Sequence, residues 1–163
     1  MEFQVGDKVV YPMHGAGIVE SIEEKEILGK KQEYYVLNFP LGGVKVMVPT
    51  QNVEQIGLRQ VISKDEVDKV IDILSGDQTK MPANWSKRYR LNMNKIKTGN
   101  IYEVAAVVRN LMLRDKDRGL SNAERKMLNS ARQILISELA LSKDAAQEEI
   151  KAMVDRISER NNA

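Results

Sequence analysis

"EYYVLNFPLGGVKVMV", residues 33–48, is a pair of apolar runs hinged on two glycines. In the second run Val44, Val46 and Val48 alternate with Lys45 and Met47, the period of two expected of a half-buried strand. Gly42 and Gly43 can take the positive φ that a tight hairpin turn demands. Pro49 has no N–H to give a ladder and ends the run. Toward the N-terminus, "DKVVYP" (7–12) is a short strand stopped by Pro12, and "HGAG" (14–17) supplies turn chemistry. "GIVESIEEKEI" (17–27) reads as a long strand with a polar end, and "LGKK" (28–31) as the next turn. Residues 1–57 therefore predict a five-stranded, strongly bent antiparallel sheet or small barrel.

Beyond residue 62 the period changes. Ser63 and Glu66 have capping-box spacing, and Val67, Val70, Ile71 and Leu74 give one apolar helix face before Gly76. Asn84 is a good N-cap for a helix reaching Lys97 and closed by Gly99. Ile101, Val104, Ala105, Val108, Leu111 and Met112 stripe another helix, ended by Gly119. Ser121 and Glu124 repeat the capping box, with Leu128, Ala131, Leu135 and Leu139 inward. Ser142 is read as the cap of a last helix that turns Ala146, Ile150, Met153, Val154 and Ile157 inward. Five such helices over residues 63–160 predict a compact all-α bundle. "GLRQVIS" (57–63) is the connection, with residues 58–62 as hinge. The class is α+β in two domains.

The 163-residue chain has no Cys and a single His, which excludes disulfides, Cys–His pairs and His-rich metal clusters. No apolar run approaches the roughly 20 residues a bilayer span needs, and the N-terminus lacks signal-peptide character. A soluble, cytoplasmic monomer is expected. His14 reads as a turn residue, and Glu20, Glu23, Glu24 and Glu26 as a solvated strand face. "HGAG" lacks the Lys-Ser/Thr of a phosphate-binding loop. No grouping supports nucleophilic or acid–base chemistry, so no enzyme, metal or cofactor is expected.

Charge is unevenly spread. Residues 1–57 carry 8 acids and 5 bases, a net of −3; residues 58–163 carry 15 acids and 20 bases, a net of +5. The excess centres on "MPANWSKRYRLNMNKIK" (81–97), which has no acid and holds the chain's one Trp, Trp85. A solvated helix usually mixes signs, since like charges three or four apart repel by a few tenths of a kcal/mol. A face bearing Lys87, Arg88, Arg90, Lys95 and Lys97 gains more from a polyanion, because each cation that meets a phosphate releases counterion. Further bases, among them Arg109, Arg114, Lys116, Arg118, Arg125 and Lys126, flank Gly119, diluted by Asp115, Asp117 and Glu124. Two readings of Trp85 stay open at this level. Positions 85, 89, 93 and 96 share one helical stripe, so the indole could close the bundle core. It also directly follows the N-cap, where a ring can project past the helix end and wedge against bases in a minor groove.

"VGDKVVYPMHGAGIVE" (5–20), "NWSKRYRLN" (84–92) and "RDKDRGLSNAERKMLNSARQILISELAL" (114–141), in that order, resemble the CarD family of bacterial transcription regulators over nearly the whole chain. The front domain also resembles the polymerase-interacting, Tudor-like domain of the transcription-repair coupling factor. The resemblance implies a non-enzymatic factor that binds the β subunit of RNA polymerase through an exposed edge strand. By position that surface falls on Lys45, Val46 and Met47, with Lys25 supplying charge from the neighbouring strand; Met47 stands where some relatives have Arg. The resemblance also implies that the helical domain sits on promoter duplex at the upstream edge of the transcription bubble, largely without sequence preference. There Trp85 matches a minor-groove wedge, with Arg88 and Arg90 as backbone contacts beside Lys87, and Arg114, Arg118 and Arg125 as outer contacts. The implied result is a stabilised open complex. The competing expectation is a protein-only polymerase adaptor whose basic helix meets an acidic protein surface.

Overall fold

The computed structural model describes residues 2–160. Five strands, β1 (Lys8–Tyr11), β2 (Gly15–Ile27), β3 (Lys30–Phe39), β4 (Val44–Pro49) and β5 (Arg59–Gln60), form one antiparallel sheet in the order β4-β3-β2-β1-β5. A bulge between Val19 and Ser21 shifts the β2–β3 register and bends the sheet. Val9, Val19, Tyr35, Leu37, Phe39 and Val48 close a core with Phe3, Val53 and Leu58. Val53 opens a one-turn helix, α1 (Val53–Ile56). Gly42 and Gly43 do adopt positive φ, 85° and 63°, at the turn into β4.

The turn before β2 lies one step earlier than the sequence suggests. His14 N–H donates to the Tyr11 carbonyl at 2.9 Å, which places Pro12 and Met13 at the centre, Met13 with φ 73°. "GAG" instead belongs to β2, where its glycines serve close packing. A Cβ on Gly15 would stand 2.8 Å from Ser137 Oγ, and one on Gly17 2.7 Å from the Asn38 carbonyl.

Five helices follow: α2 (Lys64–Leu74), α3 (Trp85–Lys97), α4 (Ile101–Asp117), α5 (Asn122–Lys143) and α6 (Gln147–Arg160). Both capping boxes form, Ser63 with Glu66 and Ser121 with Glu124, so each helix start satisfies backbone donors that would otherwise be orphaned. Ser142 is no cap. It is buried inside α5, its hydroxyl donating to the Ile62 carbonyl at 2.7 Å, and the break comes at Asp144, φ 51°. Val70, Ala105, Val108, Leu111, Ala131, Leu135, Leu139 and Ile150 fill the bundle core.

The segment read as a hinge bonds to both the sheet and the bundle. Arg59 and Gln60 pair with Val10 and Val9 as β5. The Arg59 guanidinium grips both oxygens of Glu138 on α5, each at 2.7 Å, and donates to the Gly99 carbonyl at 2.8 and 3.0 Å. Ser137 Oγ accepts from Ala16 N–H at 3.0 Å, and Lys8 reaches the Leu141 carbonyl at 2.8 Å and the Asp144 carboxylate. Sheet and bundle are joined by polar side chains buried on α5 rather than by a free linker.

Candidate nucleic-acid interface

Helix α3 sets the geometry of the basic tract. Asn84 caps it, its side-chain oxygen accepting from the N–H groups of Ser86 and Lys87 at 3.0 and 3.1 Å. Trp85 is therefore the first helical residue. It is 54% exposed at the helix tip, whereas Ile96, near the other end, is 3% exposed in the core. Tyr89 and Met93 lie half-buried between them. Of the two readings of Trp85, the exposed one describes the fold.

Lys87 and Arg90 stand exposed on the first turns of the same helix. Neither has an ion-pair partner among the described residues. The outer contacts differ. Arg118 lies 3.5 Å from Asp117 and Arg125 3.5 Å from Asp115, both as surface pairs, and Arg114 is half-buried with an unbonded Nε. Exposed pairs of this kind contribute about 0–1 kcal/mol, so a phosphate could displace the partner at little cost.

Arg88 does not belong to that surface. It is 3% exposed, with Nε 2.7 Å and Nη2 2.9 Å from the two oxygens of Glu124, itself 1% exposed. Nη1 donates to the carbonyls of Pro82 and Ala83 at 3.2 and 3.1 Å. These bonds hold the Glu124 carboxyl below its ordinary range against the opposing effect of burial, and they raise the guanidinium's own value. A buried side chain with its donors spent on Glu124 and on loop carbonyls is not placed to meet a DNA backbone. The physical reason is register. The stripe that α3 buries is Arg88, Asn92 and Ile96, one residue round from the apolar stripe legible in the sequence.

Two further residues went unsignalled. Asn110 of α4 accepts from Thr79 N–H at 3.1 Å and donates to Thr79 Oγ1 at 2.9 Å; Asn92 approaches Met81 Sδ at 3.6 Å. Both hold the segment leading into Trp85. Buried amides at helical spacing look like surface residues in a hydropathy pattern, and only the partner loop reveals them.

On the sheet, β4 pairs with β3 alone among the described residues, so one backbone edge is open there. Val46 and Val48 turn inward, while Met47 is exposed and Lys45 pairs with Glu20 at 3.0 Å. Lys25 is not in the neighbouring strand. It sits on β2, opposite Gln32, with β3 between it and β4, where it lies 4.0 Å from Glu23. Among the described residues no cluster of three or more His, Cys, Asp or Glu is placed to hold a metal, and no helix is long and apolar enough to cross a membrane.

The arrangement matches known families in both halves. Residues 3–62 match the CarD-like/TRCF RID domain, and residues 69–155 match the CarD C-terminal domain. YdeB of Bacillus subtilis (strain 168), named as a transcription factor, is 43% identical over 150 residues, 92% of this chain and 98% of its own. The chain belongs to the CarD family. It is thus a CarD-like factor of transcription with a polymerase-interacting sheet domain. Solved structures of CarD-family N-terminal domains from Myxococcus xanthus are also similar in sequence. The 72-residue CarD domain is 39% identical, covering 36% of this chain and 79% of that one, TM-score 0.32. CdnLNt is 40% identical, covering 39% and 90%, TM-score 0.34.

Proposed function

We propose that this CarD-family protein docks on the β subunit of RNA polymerase through the open edge of β4 and engages promoter DNA with Trp85 at the upstream edge of the bubble. The observation that carries the reading is the indole exposed at the tip of α3, on a helix whose first turns also expose Lys87 and Arg90, neither ion-paired among the described residues. A flat apolar ring at the tip of a helix that also exposes cations suits a minor groove, where the ring wedges at a base step and the cations hold phosphate. Arg114, Arg118 and Arg125 serve as outer contacts, each after releasing its local environment.

At the other end, an incoming strand would complete the unpaired backbone of β4, with Lys45, Val46 and Met47 supplying side-chain selection. Docking there raises the local concentration of the bundle at promoters, so little base reading is needed. Open-complex stabilisation follows from linkage: binding the distorted bubble edge better than closed duplex shifts the equilibrium by that difference and no more. A difference of about 1.4 kcal/mol changes the ratio tenfold.

The test is the open-complex lifetime with polymerase present. Trp85→Ala, with its far-UV circular dichroism unchanged, should shorten that lifetime about tenfold. A lifetime equal to wild type would exclude the wedge and leave the protein-only adaptor. Met47→Glu should weaken co-purification with polymerase while leaving salt-dependent binding to bare duplex unchanged.

A further inference from the structure

The bundle contains buried polar residues that its hydrophobic core does not require, and they converge on one loop. Between α2 and α3 the chain runs from Gly76 to Asn84 without helix or strand. Asn110 holds it at Thr79, Asn92 meets it at Met81, and Arg88 takes the carbonyls of Pro82 and Ala83, directly before the N-cap of the Trp85 helix. Glu124 completes the set by accepting from Nε and Nη2 along one edge of the Arg88 guanidinium, from the start of α5.

The electrostatics of this arrangement are specific. The first turn of α3 carries no acid, although a helix N-terminus favours negative charge and disfavours a cation such as Arg88. Glu124 supplies the missing anion from another helix, and it does so beneath the surface. At 1% exposure this carboxylate adds no surface charge to oppose a phosphate that approaches α3.

We propose that Arg88 and Glu124, assisted by Asn92 and Asn110, are positioning residues that lock the loop and first turn carrying Trp85, so that the indole is presented in one orientation before DNA arrives. This rests on the wedge reading for its purpose but not for its measurement. A pre-ordered ring forfeits less rotational freedom on insertion than a loose one, so more of its contact energy appears as affinity. Arg88 and Glu124 touch no DNA and act through Trp85.

Because Trp85 is the chain's one tryptophan, its fluorescence reports this site alone. Two variants of the full-length protein are informative: Arg88→Lys, which keeps the charge but loses the two-pronged geometry, and Glu124→Gln. Both should lower the indole's steady-state anisotropy, a readout of nanosecond motion, and shorten open-complex lifetime up to about tenfold, leaving the salt slope of duplex binding at the wild-type value. If Arg88 instead met phosphate, Arg88→Ala would reduce that slope by roughly 0.9, and Glu124→Gln, by removing an acid, would tighten DNA binding. Either result with wild-type anisotropy overturns the proposal.

Ser63→Ala, which removes a cap from α2, controls for general destabilisation and should leave anisotropy unchanged; a matching fall there would also overturn it. Should the clamp variants fail to fold, Asn110→Ala frees the same loop at Thr79 and must lower anisotropy for the inference to stand. If Trp85→Ala leaves the lifetime unaltered while the clamp variants loosen the indole, the wedge reading fails and the positioning role survives.

Discussion

Arg88 carries a charge that never reaches solvent, and its value depends on one carboxylate. The Glu124 carboxyl sits below the usual range, chiefly because Arg88 hydrogen-bonds to its ionised form, with Ser121 adding to the effect. A lowered folded value means stability that is complete above the unfolded value, about 4.3, and lost as pH falls through the folded one. The wild type should therefore lose stability more steeply than Glu124→Gln between pH 5 and 3. Urea midpoints measured across that window check it, and parallel slopes would deny the coupling. Gly17 shows a different residue-scale constraint: a Cβ would press on the Asn38 carbonyl and the Phe39 ring at 2.9 Å. Gly17→Ala should cost about 1–3 kcal/mol by overpacking, read from chemical denaturation.

At the scale of elements, α3 is a helix with two jobs on adjoining faces. Its buried stripe runs Arg88, Asn92, Ile96, and its half-exposed stripe runs Trp85, Tyr89, Met93. Only Ile96 gives it a fully buried apolar anchor. Ile96→Ala should then destabilise the protein by about 2–5 kcal/mol, since Tyr89 and Met93 pack on the core only partly buried, and thermal melts would show it. The strand β4 is divided in the same manner, with Val46 and Val48 inward, Val44 exposed and an open backbone edge outward. An unpaired edge normally invites aggregation, and exposed Lys45 beside it limits that hazard.

For the whole molecule, the buried polar side chains sort into two groups. Arg88, Asn92, Asn110 and Glu124 secure the Trp85 segment, while Ser137, Glu138 and Ser142 secure the junction of sheet and bundle. Through Arg59 the junction also grips Gly99, immediately past the end of α3. The helix bearing the indole is thus fixed at one end to the sheet domain and at the other to its own loop. Wild-type unfolding should be a single cooperative transition. Glu138→Ala strands Arg59, whose side chain is 30% exposed, and should cost about 3 kcal/mol, the low end for breaking a buried pair. Calorimetry should then resolve two transitions; one sharp transition would show that sheet and bundle are coupled by other means.

By itself the sequence determined the two periods, the helix starts capped by Ser63, Asn84 and Ser121, the glycine turn into β4 and the acid-free tract around Trp85. All of these are local: they depend on residues within a turn or a hairpin of one another. The tertiary structure decided what depends on partners far along the chain. Arg88 meets Glu124 36 positions away and Arg59 meets Glu138 79 away, so neither the burial of a cation in a basic run nor the bonds made by the expected hinge were legible beforehand. Hydropathy records what a side chain prefers when alone. A buried charge is stable only with its counter-ion, and only folding brings the two together.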